Sequence, residues 1–158
     1  MERIDDLDMK ILEELVKDAS ISVPRMSKKI NVNTSVVYSR IKRLIKHRFI
    51  KKFTIIVNDE PLGFSVKAII GISMDSKLRD NVLAELLKIH AVREIVEVTG
   101  RFDMIVTIAA GALDEMYKLI SEKIGRIDGV EKTETFVEMK KTIKEPEYST
   151  LQDKNKID

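Results

Sequence analysis

The chain has 158 residues, 44% hydrophobic and 34% charged, with a formal net charge of +2. That is length enough for one ordinary domain or two small ones, with apolar content for a packed core. The absence of cysteine excludes disulfides, thiolate zinc sites and cysteine nucleophiles. No apolar run is long enough to span a bilayer, and the charged, helix-patterned start MERIDDLDMK does not read as a signal peptide, so a cytoplasmic setting with no membrane partner is expected.

The near-neutral total hides a division. Residues 1–60 carry 13 cations and 9 anions, whereas 61–158 carry 15 and 17. Between Ala19 and Asn58 there are ten Lys or Arg and no Asp or Glu. A cationic stretch of this kind is the electrostatic footprint of a surface that meets phosphate.

In chain order, Ile4, Leu7, Ile11, Leu12 and Leu15 recur at helical spacing and predict an amphipathic helix over about Asp6 to Lys17. Ser22 is placed to cap a short second helix that tolerates Pro24 in its first turn and ends near Ile30. Asn31-Val32-Asn33 reads as a turn, with Asn31 suited to a left-handed backbone and Asn33 to an N-cap. A third helix is expected from about Thr34 to His47, with Val37, Ile41, Leu44 and Ile45 as its apolar stripe. Its other side carries Ser35, Tyr38, Ser39, Lys42, Arg43 and Lys46, with Arg40 near the border. A helix of this layout packs on its own domain and still enters a DNA major groove about 12 Å wide. In a helix-turn-helix the start of the second helix meets base edges and its cations meet phosphates. Ser35, Tyr38 and Ser39 are therefore assigned to base edges and Lys42, Arg43 and Lys46 to phosphates, with Lys28 and Lys29 adding backbone contacts from the preceding helix.

Phe49 to Val57 (FIKKFTIIV) is strand-like, and its basic start suits a wing beside the DNA backbone. Asn58 to Gly63 breaks both pattern and charge. The expected division is a helix-turn-helix domain at 1–50, a strand and linker at 51–64, a second domain at 65–144 and a polar tail at 145–158, frayed or lightly docked. Within the second domain the order is strand 65–74, helix 78–90, strand 92–99, the tight connection Gly100-Arg101-Phe102-Asp103, strand 104–110, helix 113–124 and strand 129–139. Leu78, Val82, Leu86 and Ile89 are expected to face inward from the first helix, and Leu113, Met116, Tyr117 and Ile120 from the second. This βαββαβ order predicts a ferredoxin-like α+β sandwich. Two helices cover one face of such a sheet, yet both faces are apolar: Val66, Ala68, Ile70 and Ile72 alternate with Ile69 and Gly71, and Ile105 and Thr107 with Val106 and Ile108. The uncovered face calls for a second copy of the chain, hence a two-fold homodimer.

Taken in order, LDMKILEEL at 7–15, DASIS at 18–22, VVYSRIKRL at 36–44, PLG at 61–63, TGRFD at 99–103 and GVEKTET at 129–135 resemble the Lrp/AsnC (feast/famine) family over essentially the whole chain. The resemblance implies a transcription regulator with an N-terminal helix-turn-helix of winged type and a C-terminal ligand-sensing domain of the RAM type. It also implies dimers that assemble further, up to octamers, and an amino-acid effector in place of any cofactor. Arg40, Ile41 and Leu44 match the family's recognition helix, which adds Arg40 to the DNA-binding set. Gly100 and Asp103 match the glycine-x-x-aspartate loop of the effector site. There the glycine lets a ligand approach the backbone, Asp103 suits an ammonium group and Arg101 a carboxylate; a plain β-turn accounts for the same residues. Three positions depart from the pattern: Arg48 stands where the family usually has glycine, Ser20 where it has arginine, and Arg101 where an acidic residue is common.

Other functions are less well served. His47 and His90 are the only histidines, and HExxH, GxSxG, P-loop and dinucleotide fingerprints are all absent. The enzyme alternative is a siroheme decarboxylase, whose fold resembles this family, but no His, Arg and Tyr cluster marks a tetrapyrrole pocket in the second domain. An RNA-binding sheet of the RRM type needs aromatics for base stacking, and these strands carry Ile, Val and Ala, with Phe102 and Phe136 near the ends.

Overall fold

The computed structural model describes residues 4–144, so the expected tail at 145–158 lies outside the described residues. The chain divides into two compact units, the first made of the residues up to Ile56 together with those from Thr142 onward, the second spanning Val57–Lys141.

The first unit is built on three helices: α1 (Asp6–Lys17), α2 (Val23–Ile30) and α3 (Thr34–Lys46). A reciprocal capping box opens α1. Asp5 accepts from the Asp8 N–H at 2.9 Å, and Asp8 accepts from the Asp5 N–H at 3.1 Å, which satisfies two backbone donors that a helix start otherwise leaves orphaned. Ser22 caps α2, and Pro24 in its first turn removes an N–H that would have no helical acceptor. Asn31 ends α2 in the left-handed region at φ 54, and Asn33 caps α3. Ile11, Met26, Val37 and Leu44 are fully buried and form the core, with Leu7, Leu12, Leu15 and Ile41 against it. Ile45, expected in the same stripe, is 45% exposed at its edge.

The end of α3 is closed by a Schellman motif: Phe49 N–H donates to Leu44 O at 2.9 Å and Arg48 N–H to Ile45 O at 3.0 Å. That motif places Arg48 at φ 60, a conformation in which a side chain crowds the carbonyl and glycine does not.

The wing strand expected over 49–57 does not form: residues 51–57 run without strand pairing. A strand exists only by hydrogen bonding to a neighbour, and none is present there among the described residues. Its β-branched residues are left in solvent, Ile55 81% and Ile56 92% exposed.

The second unit contains β1 (Val66–Met74), α4 (Arg79–Leu87), β2 (Val92–Glu97), β3 (Met104–Ala110), α5 (Leu113–Lys118) and β4 (Val130–Val137). The sheet is antiparallel with order β2-β3-β1-β4, the split βαβ arrangement of a ferredoxin-like sandwich. Ile70 pairs with Val106 of β3 and Thr135 of β4. Ala68, Ile70, Ile72, Met104, Val106 and Ile108 are buried on one face, against Val82, Leu86, Met116 and Leu119. Leu78 and Ile89 flank that core half-buried, as their spacing implies.

The second helix departs from expectation. Leu113 and Tyr117 are 61% and 72% exposed, and Met116, Leu119 and Ile124 are buried. After Lys118 the helix widens into a π turn at Leu119–Lys123 and closes with a 3-10 turn at Ile124–Arg126. Ile120 stays half-buried against the core between Leu119 and Ile124, while Leu113 and Tyr117 lie on the outer side of α5, ahead of the wide turn.

No helix of the second unit covers the opposite face of its sheet. Ile69, Val96 and Phe136 lie exposed there, with Ile105 and Thr107 half-buried. Phe102 folds over Gly71 so closely that a Cβ at Gly71 would sit 2.6 Å from its ring.

Replacing Arg48 by glycine relieves the left-handed strain and is expected to stabilise the chain by about 1 kcal/mol, read as a higher urea midpoint. Arg48→Ala, which keeps the Cβ, gives no such gain.

Candidate nucleic-acid interface

The turn between α2 and α3 is held by one buried hydroxyl. Ser27 Oγ donates to Val32 O at 2.6 Å and accepts from Thr34 Oγ1 at 3.1 Å. It therefore ties the second helix to the turn and to the first residue of the third. At the start of α3, Asn33 Oδ1 accepts from both Ser35 N–H (2.9 Å) and Ser35 Oγ (2.8 Å). Ser39 Oγ donates to Val36 O at 2.8 Å. Both serine hydroxyls spend their proton within the helix and face solvent with acceptor lone pairs. Tyr38 is 52% exposed, and Lys42 Nζ lies 4.6 Å from its ring centroid, close enough for a cation–π contact that holds both side chains on one patch.

The cations on these helices fall into two groups. Among the described residues Arg25, Lys28, Lys42 and Lys46 have no ion-pair partner, while Lys29 is paired with Glu14 of α1. Arg40 and Arg43 turn back towards α1. The Arg40 Nη1 bonds Asp5 and lies 3.3 Å from Asp8 Oδ1, and the Arg43 Nη2 bonds Asp8 Oδ2. The Asp8 side chain is fully buried, whereas those of Arg40 and Arg43 are 28% and 35% exposed. Burial raises the Asp5 pKa, but hydrogen bonds from the Asp8 N–H and from Arg40 outweigh it and hold the carboxyl below its usual range. The Asp5 hydrogen bond raises Arg40 in turn.

Periodicity alone does not mark Asp8 as a partner of the recognition helix. A signal is nonetheless present: Asp8 shares a face with Ile11, Leu12 and Leu15, so an acid stands on the buried stripe of α1, where an unpaired charge is not tolerated.

In the second unit, Gly100 has φ +132, and no atom lies within 4 Å of the Cβ a side chain would add. Asp103 Oδ2 accepts from the Met74 N–H at 3.0 Å, and the Asp103 N–H donates to Ile72 O at 2.9 Å. Arg101 pairs with Glu134 and lies 5.4 Å from the Phe102 ring centroid. The loop thus brings Gly100, Arg101 and Asp103 together at the end of β1, with the Asp103 carboxylate already engaged in securing that strand. His47 caps α3 in the first unit and His90 lies in the second.

A buried-core helix-turn-helix followed by a ferredoxin-like sandwich defines a class of two-domain DNA-reading protein. Residues 4–45 match the AsnC-type helix-turn-helix domain, and residues 67–148 match the Lrp/AsnC ligand binding domain. The chain is 36% identical over 137 residues to the HTH-type transcriptional regulator FL11 of Pyrococcus furiosus, an alignment covering 87% of this chain and 90% of that one. Among solved structures, E. coli AsnC is similar at 27% identity and TM-score 0.81, covering 90% of this chain and 97% of that one. A transcriptional regulator from Neisseria meningitidis, in complex with L-Met, has TM-score 0.88 over 94% of this chain and 99% of that one. Its 18% identity makes that a likeness of fold alone. The chain belongs to the Lrp/AsnC family and is a transcriptional regulator with a helix-turn-helix and a ligand-binding domain. These relatives are regulators and not enzymes, which leaves the decarboxylase alternative without support. Among the described residues no helix is long and apolar enough to cross a membrane.

The depressed Asp5 pKa sets a sign for acid stability. A carboxylate whose folded pKa is lowered contributes stability above its unfolded value, about 3.9, and loses that contribution as pH falls through the folded one. The melting temperature should therefore fall between about pH 5 and 3, and Asp5→Asn should flatten that fall.

Proposed function

We propose that the chain binds duplex DNA sequence-specifically through α3, as a two-fold dimer in the cytoplasm, and that an amino acid bound by the second domain modulates it. The observation that carries the reading is the exposed patch of α3, where Ser35, Tyr38 and Ser39 face solvent beside Lys42 and Lys46. The serines and the tyrosine meet base edges, and Lys28, Lys42 and Lys46 meet phosphates, with Lys29 joining them when it leaves Glu14.

Dimerisation is supported by the bare sheet face, where Ile69, Val96 and Phe136 would stay wet in a lone chain. Tetramers or octamers would be built from such dimers. Support for the effector comes from the fold neighbour bound to L-Met and from the open backbone at Gly100. A ligand ammonium would pair with Asp103, and a ligand carboxylate would replace Glu134 beside Arg101.

The test is a titration of the full chain against DNA upstream of its own gene and a scrambled duplex of equal length, with and without mixed amino acids. A dimer neutralising ~6–8 phosphates gives a slope of log K against log salt of about −5 to −7. A slope near zero would remove the phosphate assignment. Tyr38→Ala is expected to change which sequence is preferred; an unchanged preference would take Tyr38 off the base edges. Binding that ignores every amino acid would remove the effector role of Gly100 to Asp103.

A further inference from the structure

Two arginines of the recognition helix, one turn apart, end on a single carboxylate of another helix. Arg40 Nη1 lies 3.3 Å from both Asp8 oxygens and also bonds Asp5, and Arg43 Nη2 bonds Asp8 Oδ2. Asp8 is 0% exposed and is itself fixed to the first turn of α1 by the reciprocal capping box with Asp5. Releasing either arginine to a DNA phosphate would leave buried negative charge short of a partner, and uncompensated buried charge is strongly disfavoured. Lys42 and Lys46 carry no such tie, and they lie on the exposed side of the same helix.

We propose that Asp8 is a positioning residue for DNA recognition: it holds Arg40 and Arg43 so that α3 presents Ser35, Tyr38 and Ser39 in one orientation, and the phosphate contacts fall to the lysines. This rests on α3 being the DNA-reading helix. Arg40 and Arg43, which their sequence positions recommend as DNA contacts, instead carry α3 on α1. The charge count agrees with this division. Arg25, Lys28, Lys42 and Lys46 are the unpaired cations of α2 and α3 among the described residues, and three of the four are lysines. One phosphate for each of the three lysines in each protomer gives about −5 for the salt slope of a dimer, within the range given for the dimer as a whole.

The experiment uses the full chain, a duplex selected by the wild type from a random pool, and a scrambled duplex of the same composition. Salt slopes and the affinity ratio between the two duplexes are measured for wild type, Lys46→Ala, Arg43→Ala and Asp8→Asn, with circular dichroism to confirm folding. A flat wild-type slope would defeat the DNA reading itself, an outcome distinct from any difference between the variants. Given a wild-type slope, Lys46→Ala should flatten it by about one unit per protomer, with the ratio kept. Arg43→Ala should leave the slope within about half a unit and lower the ratio about tenfold. Asp8→Asn keeps the side-chain shape but frees Arg43 and leaves Arg40 with Asp5 alone, so the slope should steepen while the ratio falls. Asp8→Asn decides the matter where Arg43→Ala does not fold. The proposal is overturned if Arg43→Ala flattens the slope as much as Lys46→Ala does. It is equally overturned if Asp8→Asn leaves both slope and ratio unchanged.

Discussion

A carboxylate without access to water organises the DNA-reading unit. Asp8 is sealed beneath α1 and α3, and its charge is met by Arg43 and Arg40, with Asp5 sharing Arg40. Removing one partner of a buried ion pair costs about 3–5 kcal/mol. Here the arginines are 28% and 35% exposed, and solvent screening brings the cost below that range. The arrangement does more than add stability. Apolar packing of Ile11 against Val37 and Leu44 tolerates small rotations of one helix on another, whereas a two-arginine grip on one carboxylate accepts few geometries. The Ser27 hydroxyl does the same for the α2–α3 turn, joining Val32 and Thr34 through one buried atom.

The second unit is held together by different physics. Its core is a layer of Ile, Val, Met and Leu between one sheet face and two helices, among which a π turn is accommodated by choosing Ile124 as the next inward residue. The chain has more apolar strand surface than its helices can cover. Phe102 takes part of the surplus by lying on Gly71, which works only because that position has no side chain. The remainder, around Ile69, Val96 and Phe136, stays open to a second copy. One unit therefore has cations to spare and the other apolar area, and the proposed partners, phosphate and another protomer, follow from those two surpluses.

Features decided within a few residues were legible. The bounds of α1, the caps at Ser22 and Asn33 and the left-handed Asn31 depend on local hydrogen bonding and on what each backbone allows. The strand order followed from the sequence of elements, because few topologies connect βαββαβ without left-handed crossovers. Other features depended on atoms remote in sequence. The 49–57 segment has every intrinsic mark of a strand but, among the described residues, no neighbour to pair with. In α5, Leu113 and Tyr117 sit at helical spacing from Met116 and Ile120, yet only Met116, Leu119, Ile120 and Ile124 reach the core, because how the helix is turned on the sheet is set by the packing.

What the sequence by itself determined is therefore the class: a basic helix-turn-helix, a ferredoxin-like partner domain, and a serine- and tyrosine-bearing helix face with lysines beside it. Periodicity, caps and local charge are properties of neighbouring residues, and they are written in order. Only the tertiary structure decided how the cations are divided. By spacing alone Arg43 and Lys46 look alike, on the same side of one helix. One meets a carboxylate thirty-five residues away and the other meets solvent, because the fold sealed Asp8 from water and a buried charge takes its partner from whatever helix packs against it.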